Sequence, residues 1–285
     1  KNYSDSINIL QTQWYQADLN QRFTMNDQEV WGLIFPGVAT YRRKIWNFNI
    51  MNPISEAISG QQRQTRKSSA VIPVHNGMQK TADQFTKCLY HNHKNGFHQT
   101  FSNAFQQGGV IQGLGFMYMY ADSTKDPVSP DPKWRYVDMK ATLFDPYFRK
   151  DDMSDARFWW VRTFFDAQEA ALMYPQFGEE ILSLPKGTYR DDKFYYMPEV
   201  YQIQFPNLIA FDEYWYLTSR EAKFLVDKKT EECQEFTGTE EQLKEVMQAF
   251  KGKLALMKKP VPTVRRSIIL NDRVIVDEPN PYGMD

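Results

Sequence analysis

Four side chains of metal-binding type lie within eleven residues of one another: Cys88, His91, His93 and His98. Thiolate and imidazole groups are ligands that zinc prefers, and a zinc site needs ligands that converge tetrahedrally. On a helix, His91 shares a face with Cys88, whereas His93 points about 200° away from His91. The spacing therefore predicts the polar face of a packed helix and no metal site.

Adjacent carboxylates form a second group of chemically capable residues: Asp151-Asp152, Asp191-Asp192 and Glu231-Glu232. Side chains that are neighbours in sequence diverge in space. Paired acid–base catalysis needs two carboxylates that converge on one bond. We therefore predict solvated turns at these three positions.

Glycines cluster at Gly108-Gly109 and at Gly113 and Gly115. No Lys-Ser or Lys-Thr follows them, and they do not lie between a strand and a helix, so they match neither a P-loop nor a dinucleotide fingerprint. A Gly-x-Ser-x-Gly nucleophile motif is also absent from the sequence. The sequence therefore predicts no bound cofactor and no enzymatic activity.

The composition is that of a globular protein with a large core. The chain has 285 residues, of which 42% are apolar and 15% aromatic. This length is typical of about two domains. Two cysteines do not make a disulfide framework, which favours a reducing compartment. No apolar run reaches the roughly 18–20 residues that cross a bilayer, so we expect no membrane segment.

Charge is divided into blocks along the chain, although the formal net charge is −1. Residues 38–67 carry six bases and one acid, residues 179–241 carry fourteen acids and seven bases, and residues 251–273 carry seven bases and one acid. Such blocks are typical of a protein that presents different faces to different neighbours, or of solvated charge that happens to cluster. The low net charge argues against a simple sequence-reading DNA-binding protein.

Apolar periodicity and capping residues predict five helices. The longest covers 81–107, with an interruption at Gly96 and an end at Gly108-Gly109. Asp166 with Glu169, and Thr239 with Gln242, are capping signals. The helix after Thr239 is expected to continue through Leu254 and Met257 until Pro260 and Pro262 stop it. The other two helices are predicted within 6–30 and from Asn52-Pro53 onward.

Apolar runs bounded by turn residues predict strands. We expect 110–120 to be buried on both faces, and 208–217 to form a hairpin with 222–226 through Thr218, Ser219 and Arg220. A closing hairpin is expected to turn at Asn271-Asp272. The predicted strands are 70–74, 110–120, 134–144, 158–165, 208–217, 222–226, 264–270 and 273–276. This order predicts an α+β fold without βαβ units.

One segment resembles a known family. Asp145-Pro146, followed by Ser154-Asp155-Ala156-Arg157, is similar to a segment of the portal proteins, or head-to-tail connectors, of short-tailed (podovirus-type) bacteriophages. Further elements agree in the same order along the chain. They are Arg42-Arg43 with the Asn52-Pro53 helix, the phenylalanine-rich helix before Gly108, Glu213-Tyr214 in an aromatic strand, and Arg265-Arg266 in the closing hairpin.

The resemblance implies a structural role in the virion. Portal proteins form a ring of identical subunits, usually twelve, at one capsid vertex. The ring nucleates head assembly with the major capsid protein, docks the terminase motor, passes double-stranded DNA without sequence specificity, and later binds tail adaptor proteins. Assembly is expected in the host cytoplasm. The family has no catalytic activity of its own.

The resemblance also implies a division of the chain. Residues 1–165 correspond to a wing of helices plus a mixed or antiparallel sheet. Residues 166–194 correspond to a stem helix and connector, and residues 195–285 to a small α/β clip. Because the family continues into a second stem helix, more wing and a crown, we expect this chain to be the N-terminal part of such a protein.

Basic residues are the candidates for contacts with nucleic acid or with a neighbouring subunit: Lys258, Lys259, Arg265, Arg266, Arg42 and Arg43. A head-to-tail ring needs complementary patches on opposite sides of each subunit, and the acidic and basic blocks suit such an interface. Two alternatives stay open. One is a monomeric DNA-binding module, and the other is a carbohydrate-acting enzyme with two carboxylates flanked by Trp or Tyr.

Overall fold

The structure is a computed structural model that describes residues 2–27, 30–34, 48–66, 69–75, 77–122, 126, 128–184, 208–227, 233–236, 238–250, 253–271 and 273–282. The chain divides into two compact units, Lys1–Pro146 and Tyr147–Asp285. The first unit is mainly helical and the second is built on an antiparallel sheet. The predicted α+β class is confirmed.

The first unit begins with helices. They are α1 (Asn2–Thr24), α2 (Val30–Ile34), α3 (Met51–Gln64), α4 (Gln79–Asn92) and α5 (His98–Asn103), with π-helical turns at His93–Phe97 and Ala104–Gln112. The helix predicted from Asn52-Pro53 is confirmed as α3, and the helix predicted within 6–30 begins earlier and ends at Thr24.

Glycines shape the long helical stretch that starts at Gln79. The predicted interruption at Gly96 is confirmed, since its φ of 106° breaks the helix there. The predicted end at Gly108-Gly109 is wrong, because the helical turns continue to Gln112 and end at Gly113, whose φ is 101°. Gly108 is needed for a close approach instead. A Cβ atom on it would lie 2.3 Å from the Cα atom of Gly115.

A two-stranded antiparallel sheet follows, formed by β1 (Phe116–Asp122) and β2 (Asp131–Val137). The strand predicted at 110–120 starts later because residues 110–112 are helical. Its predicted burial on both faces is wrong, since Met119 is 47% exposed. The strand predicted at 134–144 is divided. A single 3₁₀ turn at Met139–Ala141 separates β2 from β3 (Thr142–Phe144), because the Asp138 carboxylate accepts the N–H of Lys140 at 2.8 Å.

The strand predicted at 70–74 is wrong. This segment is irregular, and Ile72 and Val74 are exposed rather than packed. The backbone N–H of Val71 donates to the Thr86 hydroxyl at 3.0 Å instead of to a strand partner. A short apolar run therefore did not suffice to form a strand here.

The second unit is built on antiparallel strands. β4 (Phe158–Asp166), β5 (Leu208–Asp227), β7 (Leu254–Leu270) and β8 (Arg273–Pro279) lie side by side in that order, and β6 (Cys233–Phe236) pairs with the end of β5. The short helices α6 (Ala167–Met173) and α7 (Gly178–Ser183) pack on one face of this sheet. Their shared core contains the buried residues Ala170, Ile181, Ile209, Ile268 and Leu270.

The hairpin predicted between 208–217 and 222–226 is wrong, because β5 is a single strand of 20 residues. Thr218, Ser219 and Arg220 do not turn the chain but pair with Thr263, Pro262 and Val261 of β7. Threonine fits a pleated strand well, and none of the three residues supplies the positive φ of a tight hairpin turn.

The capping box at Thr239 and Gln242 is confirmed, and it begins α8 (Glu240–Ala249). The continuation of this helix through Leu254 and Met257 is wrong, because β7 starts at Leu254. Pro260 and Pro262 lie inside β7, on the portion that precedes its pairing with β8 at Arg265–Leu270. Proline is tolerated in a strand where its missing N–H is not needed.

Two local predictions in the second unit are confirmed. Asp166 caps α6 as predicted, and that helix ends at Met173. Its carboxylate accepts the N–H of Gln168 at 3.1 Å rather than that of Glu169, so the cap is confirmed and the reciprocal arrangement with Glu169 is not. The closing hairpin turns at Asn271, whose φ is 44°, whereas Asp272 lies outside the described residues. The assignment of wing, stem and clip at 1–165, 166–194 and 195–285 stays a prediction.

Candidate functional site

The closing hairpin concentrates charged side chains on both faces of the sheet. On one face, Asp277 of β8 lies opposite Ser267 of β7. The Asp277 carboxylate accepts hydrogen bonds from Ser267 Oγ at 3.0 Å, Tyr216 OH at 3.1 Å and Arg265 Nε at 3.3 Å. One acidic side chain is therefore the centre of contacts from two neighbouring strands.

These contacts determine the charge state of the cluster. Burial by itself raises the pKa of Asp277, but the hydrogen bonds from Arg265, Ser267 and Tyr216 outweigh it and bring the pKa below its usual range. Hydrogen bonds with Asp277 and Tyr216 raise the pKa of Arg265. Asp277 is therefore ionised at neutral pH and balances the charge of Arg265 within the chain.

The opposite face carries a second ion pair. Arg266 of β7 pairs with Glu278 of β8, with Nε and Oε1 2.9 Å apart. The Arg266 guanidinium also lies 5.6 Å from the centre of the Trp215 ring. Burial lowers the pKa of Arg266, but the hydrogen bond and charge of Glu278 raise it overall. Arg266 is therefore held between a carboxylate and an aromatic face.

The basic candidates from the sequence do not form one patch. Arg265 and Arg266 are neighbours in β7, so their side chains point to opposite faces. Lys258 and Lys259 lie further along the same strand and are exposed, with Lys258 Nζ 3.6 Å from Glu221 Oε1. Arg42 and Arg43 lie outside the described residues. A role of these six in nucleic-acid or subunit contacts stays a prediction.

The segment around Ser154 is a loop whose two ends are joined by hydrogen bonds. The Asp155 carboxylate accepts the backbone N–H groups of Arg149 at 2.8 Å and Lys150 at 3.2 Å. Burial raises the pKa of Asp155, but these two N–H groups contribute to an overall lowering. The Ser154 N–H donates to Asp152 at 3.1 Å, and Met153 is buried with a φ of 55°.

The residues that flank this loop attach it to its surroundings. The Arg157 carbonyl accepts the N–H of Leu217 at 2.8 Å, and the Arg157 guanidinium lies 5.8 Å from the Tyr147 ring centre. The Ala156 N–H donates to the Met153 carbonyl at 3.0 Å. Asp145 is fully buried and Pro146 half-buried. The contacts of this motif are those of a structural loop.

Glu213 and Tyr214 lie in the middle of β5. Glu213 is opposite Ile268 of β7, on the face that the helices cover. Tyr214 points to the other face, where its ring lies 4.8 Å from that of Trp160 and stacks on Tyr216 at 5.1 Å. This aromatic row belongs to the packing of the sheet.

The other chemically capable residues are also placed. Cys88 is exposed, and His91 Nε2 lies 3.1 Å from Asn95 Nδ2. Within the described ranges, no three His, Cys, Asp or Glu side chains are arranged to hold a metal ion. Asp151-Asp152 form an exposed turn, as predicted, whereas Asp191-Asp192 and Glu231-Glu232 lie outside the described residues.

A comparison with family models decides the family. The model described as phage P22-like portal protein matches residues 3–284. The chain belongs to this portal family. The resemblance inferred from its motifs is confirmed, and the chain is a phage portal subunit from a structural, non-enzymatic family of virion components. A search of curated proteins finds no match.

Sequence reasoning missed two acidic residues of this portal subunit. Asp277 and Glu278 hold Arg265 and Arg266, yet neither was a candidate. The available signal was their position on the return strand of the closing hairpin. No helix in the described part of the portal subunit is both long and apolar enough to cross a membrane.

Proposed function

We propose that this portal subunit assembles with identical copies, twelve as is usual in the family, into a ring at one capsid vertex. The ring conducts double-stranded DNA during packaging and ejection. The observation that carries the proposal is the match of the portal family model to residues 3–284. The structural contacts of the family-motif residues in the described part of the chain, such as Asp155 with the backbone of Arg149 and Lys150, are consistent with the same role.

The surface of α3 supports self-association. The small polar residues Ser55 and Ser59 of this helix are buried within the first unit. The apolar residues Met51, Ile54 and Ile58 are exposed. A surface helix of an isolated protein normally has the opposite polarity. An exposed apolar stripe is typical of an interaction surface, and a second copy of the chain is the partner that a ring supplies.

The charge arrangement of the closing hairpin supports a conduit rather than a tight DNA grip. Phosphate contacts by Lys and Arg add strongly to affinity and depend on salt. Asp277 and Glu278 balance Arg265 and Arg266 within the chain, so these arginines present little uncompensated charge. A channel lined in this way holds DNA without trapping it.

The proposal includes partners outside the ring. At the capsid vertex the ring contacts the major capsid protein, the terminase motor docks on it during packaging, and tail adaptor proteins bind it afterwards. Assembly takes place in the host cytoplasm before the virion is complete. Family membership supports these partners as a class.

Imaging of the intact protein tests the proposal. Negative-stain microscopy and mass photometry are expected to show symmetric rings with a central channel. A protein that stays monomeric at all accessible concentrations and binds duplex DNA with a steep salt dependence contradicts the proposal and favours a monomeric DNA-binding module. Monomers that cleave a carbohydrate substrate would instead indicate an enzyme.

A further inference from the structure

A cleft of ≈ 360 Å³ lies in the first unit between the end of α3 and the start of α5. Three of the side chains that line it are basic: Arg66, His93 and His98. Thr65 and Ser69 line it as well, and the Thr65 hydroxyl donates to the Gln61 carbonyl at 2.9 Å. The cleft therefore combines positive charge with hydrogen-bonding groups.

Arg66 is held in position by its neighbours. Its Nη2 donates to Ser102 Oγ at 2.6 Å, and Ser102 Oγ donates in turn to Gln62 Oε1 at 3.2 Å. All of these partners are neutral. Arg66 forms no ion pair within the described ranges, so its charge is not balanced by a described neighbour. A guanidinium fixed in this way is preorganised to bind an anion with two N–H groups.

The two histidines lie side by side at the cleft and offer ring N–H donors to a ligand. Their ring centres are 5.1 Å apart, and His93 also stacks on Phe97 at 4.8 Å. Burial, together with the charges of His93 and Arg66, lowers the pKa of His98. The charged groups that face His98 are thus both basic. An arrangement of this kind disfavours a proton on His98, and a bound anion reverses that effect.

We propose that this cleft binds a phosphate group, with Arg66 as the bidentate donor and His93 and His98 as the flanking donors. A tetrahedral oxyanion offers acceptors to all three side chains, and its charge compensates theirs. Phe101, which is 38% exposed, borders the same cleft and offers an apolar surface to whatever carries the phosphate. The phosphate belongs either to the free ion or to a nucleotide. The inference does not depend on the proposed ring.

Binding is expected to be linked to proton uptake. A bound anion favours the protonated form of His98, whose pKa is otherwise lowered by burial, so affinity is expected to increase as the pH falls from about 8 to about 5. Sulfate is the probe for this dependence, because it does not titrate in that range. Its dissociation constant is expected to decrease by about tenfold across it, by the linkage between proton and anion binding.

Calorimetric titration of the intact protein with inorganic phosphate, adenosine monophosphate and adenosine tests the site. Arg66→Gln is expected to weaken phosphate binding by about tenfold or more, since a charge-assisted hydrogen bond is lost. Arg66→Lys keeps the positive charge but loses the two parallel N–H donors of the guanidinium. Its affinity for phosphate is expected to lie between those of wild type and Arg66→Gln. Tighter binding of adenosine monophosphate than of phosphate identifies a nucleotide, and equal affinities identify the free ion.

The matched control is Arg63→Gln. Arg63 lies in the last turn of α3, three residues before Arg66. Its guanidinium donates to Gln106 Oε1 and does not line the cleft. This variant is expected to bind phosphate within about twofold of wild type. Circular dichroism checks that each variant is folded. Three results overturn the proposal. Arg63→Gln weakens phosphate binding as much as Arg66→Gln does, adenosine binds with the same affinity as adenosine monophosphate, or the protein binds Zn²⁺ but does not bind phosphate.

Discussion

Arg162 and Asp212 face each other across β4 and β5 and form a bidentate ion pair inside the second unit. The distances are 2.7 Å from Nε to Oδ1 and 2.5 Å from Nη2 to Oδ2, and the two side chains are 4% and 6% exposed. A slip of one residue between these strands separates the two charges in a buried environment. The pair therefore specifies the register of β4 against β5.

Removal of one partner from this pair is expected to be costly. Arg162→Met leaves the Asp212 carboxylate buried without its ion-pair partner, which lowers the free energy of unfolding by roughly 3–5 kcal/mol. Urea denaturation followed by tryptophan fluorescence measures the change. The control is Arg220→Met, which removes an exposed pair with Glu235 and costs at most about 1 kcal/mol. Equal losses in the free energy of unfolding for the two variants would contradict a structural role for the buried Arg162–Asp212 pair.

Two glycines on helical segments should respond to alanine in opposite directions. Gly96 has a φ of 106°, which a residue with a Cβ rarely adopts, so Gly96→Ala is expected to destabilise the first unit by about 1–3 kcal/mol. Gly60 lies inside α3, and no neighbouring atom comes within 4 Å of the position that a Cβ would occupy there. Gly60→Ala is therefore expected to stabilise by about 0.5–1 kcal/mol. Thermal unfolding of both variants checks the signs.

Local signals in the sequence predicted local features of the fold. The caps at Asp166 and Thr239, the break at Gly96 and the turn at Asn271 are all confirmed, because each depends on contacts within a few residues. The long strands were not predictable in this way. Pro260 is a strong helix terminator in sequence, but its place in β7 depends on pairing with Glu221, which lies far away along the chain.

The ion pairs of the candidate site depend on the register between β7 and β8, which residue types alone do not reveal. A regular hairpin that turns at Asn271 would place Arg266 opposite Asp277. A bulge between Ile268 and Ile269 shifts the register by one residue, so Arg266 lies opposite Glu278 instead. The basic candidates could therefore be named from the sequence, whereas their acidic partners required the observed register.

The Asp277 cluster is expected to make stability depend on acid pH. The folded-state pKa of Asp277 is lowered, so its contribution is present above the unfolded-state pKa of about 3.9 and is lost as the pH falls through the folded value. The stability difference between wild type and Asp277→Asn should therefore be constant near neutral pH and shrink below about pH 4. Urea denaturation at a series of pH values measures it. A difference that grows on acidification contradicts this sign.

Charges on the exposed stripe of α3 should prevent ring assembly without unfolding the subunit. Ile54→Asp combined with Ile58→Asp places two carboxylates on a surface that the proposed neighbour covers, and burial of unpaired charges costs several kcal/mol. Mass photometry is expected to show at least about tenfold fewer assembled particles at equal concentration. The control is Gln64→Glu, on another face of the same helix. Normal rings from the double variant would exclude α3 from the interface.

DNA binding by the assembled protein should depend on the lysines of β7 more than on its arginines. Lys258 and Lys259 are exposed, and the 3.6 Å pair between Lys258 and Glu221 is itself exposed to solvent. Arg265 and Arg266, in contrast, form closer ion pairs with Asp277 and Glu278. Neighbours in a strand point to opposite faces, so one lysine of the two is expected to reach a phosphate and to contribute about 0.9 to the slope of log affinity against log salt.

Lys258→Gln combined with Lys259→Gln is therefore expected to reduce this slope by about 1, and Arg265→Gln combined with Arg266→Gln to change it by less than about 0.5. Fluorescence anisotropy of a labelled duplex at several salt concentrations measures both slopes, with ring formation checked for each variant. A larger decrease of the slope in the arginine variant than in the lysine variant would mean that DNA displaces Asp277 and Glu278 from their ion pairs. The hairpin would then grip the phosphates directly, which contradicts a weakly charged conduit.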